Sequence, residues 1–67
     1  MNLTGYEYIT TRNGYEIYRK TVNGKGRWAA KRKDGVVFKI TYQQALGYEP
    51  LDSEEALQMY LGKLLLK

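Results

Sequence analysis

Three dipeptides, Asn13-Gly14, Asn23-Gly24 and Asp34-Gly35, constrain this chain more than anything else in it. Asn, Asp and Gly tolerate the positive φ that tight hairpin turns demand, and each dipeptide is flanked by residues that favour strands. Four consecutive antiparallel strands are expected, over roughly 6–11, 15–21, 27–32 and 36–41. The first is the least determined, because Tyr6-Glu7-Tyr8-Ile9 reads equally well as a loosely attached arm.

Side-chain alternation fixes the pairing, since residues opposite each other across a ladder share a face. A two-residue turn at Asn23-Gly24 sets Thr21 against Gly26, Arg19 against Trp28 and Ile17 against Ala30. At the third turn a two-residue loop would place Lys31 opposite Phe38. A three-residue loop, Lys33-Asp34-Gly35 with Gly35 left-handed in a bulge, instead pairs Ala30 with Phe38 and Trp28 with Ile40. The second choice keeps Tyr15, Ile17, Trp28, Ala30, Phe38 and Ile40 on one side, and that side is the expected core face.

The opposite face then carries Glu16, Tyr18, Lys20, Arg27, Ala29, Lys31, Val37, Lys39 and Thr41. One acid among four bases is lopsided for the solvated side of a sheet, where Lys and Thr are otherwise routine. The run Lys31-Arg32-Lys33 makes one hairpin tip basic, and Gly24-Lys25-Gly26-Arg27 makes another. The latter resembles a phosphate-binding loop in composition only, because the full spacing and the following helix are missing. Seven tyrosines, Trp28 and Phe38 are mostly expected in core or edge packing. Tyr18, set among Lys20, Arg27 and Lys31, is the aromatic best placed to meet a ligand.

After the strands, Gln43-Gln44-Ala45-Leu46 is expected to make one helical turn, capped by Thr41 and stopped by Gly47, and Pro50 bars its continuation. A second helix starts at Asp52-Ser53-Glu54-Glu55, with Asp52 as cap, Glu55 returning the bond, and Leu51 and Ala56 as a hydrophobic staple. Leu57, Tyr60, Leu61 and Leu64 recur at helical spacing and form the stripe expected to cover the sheet. Gly62 weakens the helix interior and is expected to allow a close approach to Trp28. Leu64-Leu65-Leu66 exceeds what one stripe needs: either the last turn frays, or the surplus leucines mark a second contact surface, for a weak homodimer or a larger complex.

Composition narrows the function. Sixty-seven residues make a single small domain with little room for a deep pocket. No cysteine or histidine is present, which removes disulfides, thiolate metal sites, the commonest zinc ligand and the commonest base at neutral pH. Glu7, Glu16, Glu49, Asp52, Glu54 and Glu55 show no spacing that holds a carboxylate pair across a cleft. An enzyme is not expected, and no cofactor is implied. No basic segment followed by an apolar run opens the chain and no stretch is long enough to span a bilayer, so a cytoplasmic location without membrane partners is expected. Eleven basic residues against seven acidic give a net charge of +4, which favours a polyanionic partner.

A wider pattern runs from Gly24 to Tyr60: Arg27-Trp28-Ala29-Ala30-Lys31, a glycine turn, a strand, Leu46-Gly47-Tyr48, then Leu51-Asp52-Ser53-Glu54-Glu55-Ala56 and Tyr60. This resembles the AP2 DNA-binding domain and the related N-terminal arm-binding domains of phage and transposon integrases. The resemblance covers a little over half the chain. It implies a three-stranded sheet lying in the DNA major groove with a helix behind it, and Arg27, Trp28, Lys31 and Lys39 facing DNA. The register puts Trp28 in the core, whereas the resemblance puts it at the DNA.

The sequence therefore leads to an α+β fold, a three- to four-stranded antiparallel β-meander with a C-terminal helix packed on one face. The expected function is non-enzymatic binding of double-stranded DNA by a small regulatory or mobile-element accessory protein. Tyr18, Lys20, Lys25, Arg27, Lys31, Lys33 and Lys39 are the candidate contacts, with Arg27 the candidate for base edges. The rival is a protein-interaction module, such as a phage-encoded inhibitor, whose basic face engages an acidic surface of a host complex.

Overall fold

The computed structural model describes residues 1–65, with Leu65 in its backbone only. Four strands, β1 (Glu7–Arg12), β2 (Tyr15–Val22), β3 (Lys25–Lys31) and β4 (Val37–Ile40), are followed by α1 (Tyr42–Leu46) and α2 (Ser53–Leu65). The strands form one antiparallel meander in the order β1-β2-β3-β4, so the α+β class read from the sequence holds.

The turns decide the register as expected. Asn13 and Gly14 have φ of 52° and 83°, and Asn23 and Gly24 have 52° and 77°, the positive pair of a type I′ hairpin whose twist matches that of its strands. At the third turn the Arg32 amide donates to the Val36 carbonyl at 2.9 Å around a three-residue loop that ends in Gly35 at φ 91°. Ile17 accordingly pairs with Ala30, Ala30 with Phe38, and Trp28 with Ile40.

β1 is a full strand with one irregularity. Tyr8 lies opposite Tyr18 but Thr10 lies opposite Ile17, so Ile9 is an extra residue in the β1 ladder. Because side chains alternate with a period of two, one inserted residue sends everything after it to the other face. Tyr8 consequently joins Tyr18 on one side of the sheet, while Arg12 joins Tyr15 on the other.

The core lies on that second side and comprises Tyr15, Ile17, Ala30, Ile40, Ala45 and Leu51, with Trp28 and Phe38 packed against it in part. Ala45 comes from α1, where Thr41 and Gln44 form a capping box and Gly47 ends the helix in the left-handed conformation. Leu51 and the first turn of α2 complete the cover.

The expected stripe on α2 does not cover the sheet. Leu57, Tyr60, Leu61 and Leu64 are 57%, 59%, 47% and 49% exposed. Only the first turn is anchored, through Leu51 and Glu55, and the remaining turns run clear, giving a molecule of 43 × 25 × 17 Å. Its radius of gyration, 12.8 Å, exceeds the roughly 11 Å expected for a compact chain of this length. A Cβ at Gly62 would meet nothing within 4 Å, so the expected approach to Trp28 does not occur. The reason is local: the small core is already closed by Ala45 and Leu51, and Glu55 rather than a leucine fills the position facing the sheet.

Glu55 also departs from its expected capping role. Its amide donates to the Asp52 carboxylate at 2.9 Å, as a cap requires. Its own carboxylate instead accepts from the Leu51 amide at 2.8 Å, from Asn13 Nδ2 at 3.2 Å and from Arg12 Nε at 3.3 Å. Leu66 and the Leu65 side chain, assigned to a second contact surface, lie outside the described residues.

Candidate nucleic-acid interface

The face opposite the core is built by the β2–β3–β4 register. Lys20 lies opposite Arg27, Ala29 opposite both Tyr18 and Lys39, and Lys31 opposite both Glu16 and Val37. Lys25 opens β3 beside the Asn23-Gly24 turn and alternates onto the same side as Arg27 and Lys31. Ala29, at the centre, is completely covered although no helix lies over it, because its larger ladder neighbours close over its single methyl group. The result is a low platform ringed by cationic side chains.

Those cations are uncompensated. Among the described residues the ion pairs are Arg12–Glu55 and Arg32–Asp34, and neither belongs to this face. Lys20 rests its ammonium 5.7 Å from the centroid of the Tyr6 ring and 3.5 Å from the Thr4 carbonyl. Both contacts stabilise the cation without neutralising it.

The acid of this face is held in one corner. The Tyr18 hydroxyl donates to Glu16 at 2.9 Å, while its ring meets Tyr8 edge-on at 5.8 Å and 73°. The bond to Glu16, followed by burial and the Glu16 charge, raises the Tyr18 phenol above its ordinary pKa, so it remains a neutral donor. Tyr8 in turn shares a 2.7 Å hydrogen bond with Thr11.

Six of the seven residues nominated from the sequence therefore share one face: Tyr18, Lys20, Lys25, Arg27, Lys31 and Lys39. Lys33 does not join them. Its aliphatic stem packs across Gly14 in the β1–β2 turn, where it borders a cleft of about 230 Å³ together with Tyr15, Arg32, Asp34 and Glu54. The three-residue loop turns Lys33 out of the strand alternation that places Lys31.

Trp28 sits between the two readings made of it. It is half-buried at the rim of the core, with the Tyr42 ring 5.6 Å away and tilted by 44°, and the Arg19 guanidinium 5.7 Å from its own ring. Beside it is a second cleft of about 270 Å³, lined by Tyr6, Arg27, Trp28, Lys39, Ile40 and Tyr42. Sequence reasoning missed Tyr6 and Tyr42 here. The available signal was position: Tyr42 directly follows the Thr41 cap, which turns it back toward the strand that Trp28 occupies.

No group of three or more carboxylates converges on a metal-sized site among the described residues, and no helix among them is long and apolar enough to cross a membrane. No family model matches the sequence, and no curated protein or solved structure is significantly similar to it.

Proposed function

We propose that the protein binds double-stranded DNA, without catalysis, through the open face of its sheet, as a small regulatory or mobile-element accessory protein. The observation that carries this reading is the co-facial placement of Lys20, Arg27, Lys31 and Lys39, free of carboxylate partners, around the flat centre at Ala29. A polyanion gains most where charges are exposed, of one sign and on a surface that lets it approach. Lys20, Lys25, Lys31 and Lys39 are assigned to phosphates, and Arg27, whose fork suits guanine O6 and N7, to a base edge. Lys33 is left out because its stem lies across Gly14. The likeness of the Arg27–Lys31 strand and the Asp52–Ala56 helix start to the AP2 domain points the same way.

A second reading has its own observation. The exposed stripe Leu57, Tyr60, Leu61 and Leu64 is larger than a solvated helix needs, and it favours a protein partner, or a second copy, at the far end of the molecule. Titration against a random-sequence duplex separates the two readings. Neutralising four or five phosphates gives a slope of about −4 in log K against log salt, or about 250-fold weaker binding between about 50 and 200 mM salt. Absence of duplex binding at low salt rejects the DNA reading and leaves the protein-partner reading.

A further inference from the structure

We infer that the cleft at the end of β4 receives one unpaired base of the bound nucleic acid, stacked on Tyr42 beside Trp28, with its phosphate held by Lys39 and its edge met by Arg27. This inference rests on the DNA-binding reading for the source of the base, and it adds a site that the flat platform does not provide. β4 stops at Ile40 while β3 runs on to Lys25, so the ladder ends at the Trp28–Ile40 pair and leaves the flank of β3 open. Gly26, two residues from Trp28 along the same strand, adds no side chain to fill the space beside the indole.

What lines the opening is selective. The rings of Tyr6, Trp28 and Tyr42 border the opening. Lys20 lies over one face of Tyr6 and Arg19 over one face of Trp28, while the Tyr42 ring, in contact with Trp28 at a tilt of 44°, is more than half exposed and is the surface on which a base can stack. Two cations, Arg27 and Lys39, stand at the same cleft and are also members of the basic face. A π-surface next to paired cations matches one nucleotide, an aromatic base joined to an anionic phosphate, and base–aromatic stacking tolerates any base. The volume, about 270 Å³, lies just below that of small-molecule pockets, which start at roughly 300 Å³, and has room for a single nucleotide.

The test compares a duplex carrying one unpaired central thymidine with the same duplex lacking it. Trp28 is the sole tryptophan, so its fluorescence reports this cleft directly. The bulged duplex is expected to bind at least about tenfold more tightly and to quench Trp28. Tyr42→Ala removes a stacking face, and Gly26→Val fills the cleft with a Cβ that meets Trp28 Nε1 at 3.5 Å, an ordinary contact. Both variants should return the bulged duplex to the affinity of the unbulged one while leaving the latter unchanged. Equal affinity for the two duplexes, or a gain that survives both variants, overturns the inference and leaves the duplex reading standing. A short oligothymidylate separates the remaining cases: quenching by it without duplex binding removes the duplex reading and keeps the cleft, and no quenching by any probe removes the cleft.

Discussion

Arg12 and Glu55, 43 positions apart in the chain, form a 3.3 Å ion pair whose carboxylate has no exposure to solvent. The same guanidinium donates to the carbonyls of Gln44 at 2.7 Å and Ala45 at 3.0 Å, so one side chain ties β1 to the end of α1 and the start of α2. Removing Arg12 leaves a buried charge held only by Asn13 and the Leu51 amide. Arg12→Ala should therefore destabilise the fold by about 3 kcal/mol in urea unfolding. A loss below about 1 kcal/mol would mean that the carboxylate finds water once its partner is gone.

The Tyr15–Asp52 bond should make stability fall at both ends of the pH scale. The Tyr15 hydroxyl lies 2.7 Å from both Asp52 oxygens, and burial, then the bond and charge of Asp52, push its pKa up to about 12. The unfolded chain thus releases this proton first as pH rises. The contribution of Tyr15 is complete below pH 10 and lost toward 12, and Tyr15→Phe should flatten that alkaline decline. Burial alone would raise the Asp52 carboxyl, but the bonds from the Glu55 amide and Tyr15, with the Arg32 charge and the Glu54 amide, hold it below its ordinary 3.8. Its contribution is present above that value and lost as acid titrates the folded form. Denaturation midpoints across pH, compared with Tyr15→Phe and Asp52→Asn, check both limbs.

Truncations should divide the apolar residues into two groups. Ile17 is 1% exposed at the centre of the core, and Ile17→Ala should cost about 2–5 kcal/mol, enough to unfold so small a domain. Leu61→Ala should cost less than about 1 kcal/mol, because half of that side chain is already in water. Gly62→Ala should stabilise by about 0.5–1 kcal/mol, since it improves helix propensity where nothing stands within 4 Å. Thermal melts read all three, and a large loss at Leu61 would place α2 against the sheet.

Charge reversal tests the platform. Lys31→Glu with Lys39→Glu should abolish duplex binding while circular dichroism and the melting transition stay near those of the parent, because both ammonium groups lack ion-pair partners. Unchanged affinity would remove the open face from the binding reaction.

The sheet was legible because its information is local. Asn-Gly turns dictate their own geometry, and alternation then leaves one register that gathers Ile17, Ala30, Phe38 and Ile40. The basic face followed from the same alternation, Lys33 excepted. The Ile9 bulge was not legible: Glu7-Tyr8-Ile9-Thr10 contains no glycine and no sharp change of polarity to mark it. The bulge changes the facing of Tyr8, whereas Arg12 is set opposite Tyr15 by the Asn13-Gly14 turn alone; what no local pattern marks is the reach of Arg12 to Glu55, so Glu55 read as an ordinary cap. The course of α2 failed for the same reason, since periodicity reveals a stripe but not what covers it.

The meander pairs every strand only with its neighbour along the chain. Closing such short loops carries little entropic cost, and hairpins of this kind form in about 1–10 μs. The link between Arg12 and Glu55 joins residues 43 positions apart, so closing it costs more loop entropy than any turn of the sheet. The hairpins are thus set to form first and the helical clasp last, when Ala45 and Leu51 close over the core face that the strands alone leave open.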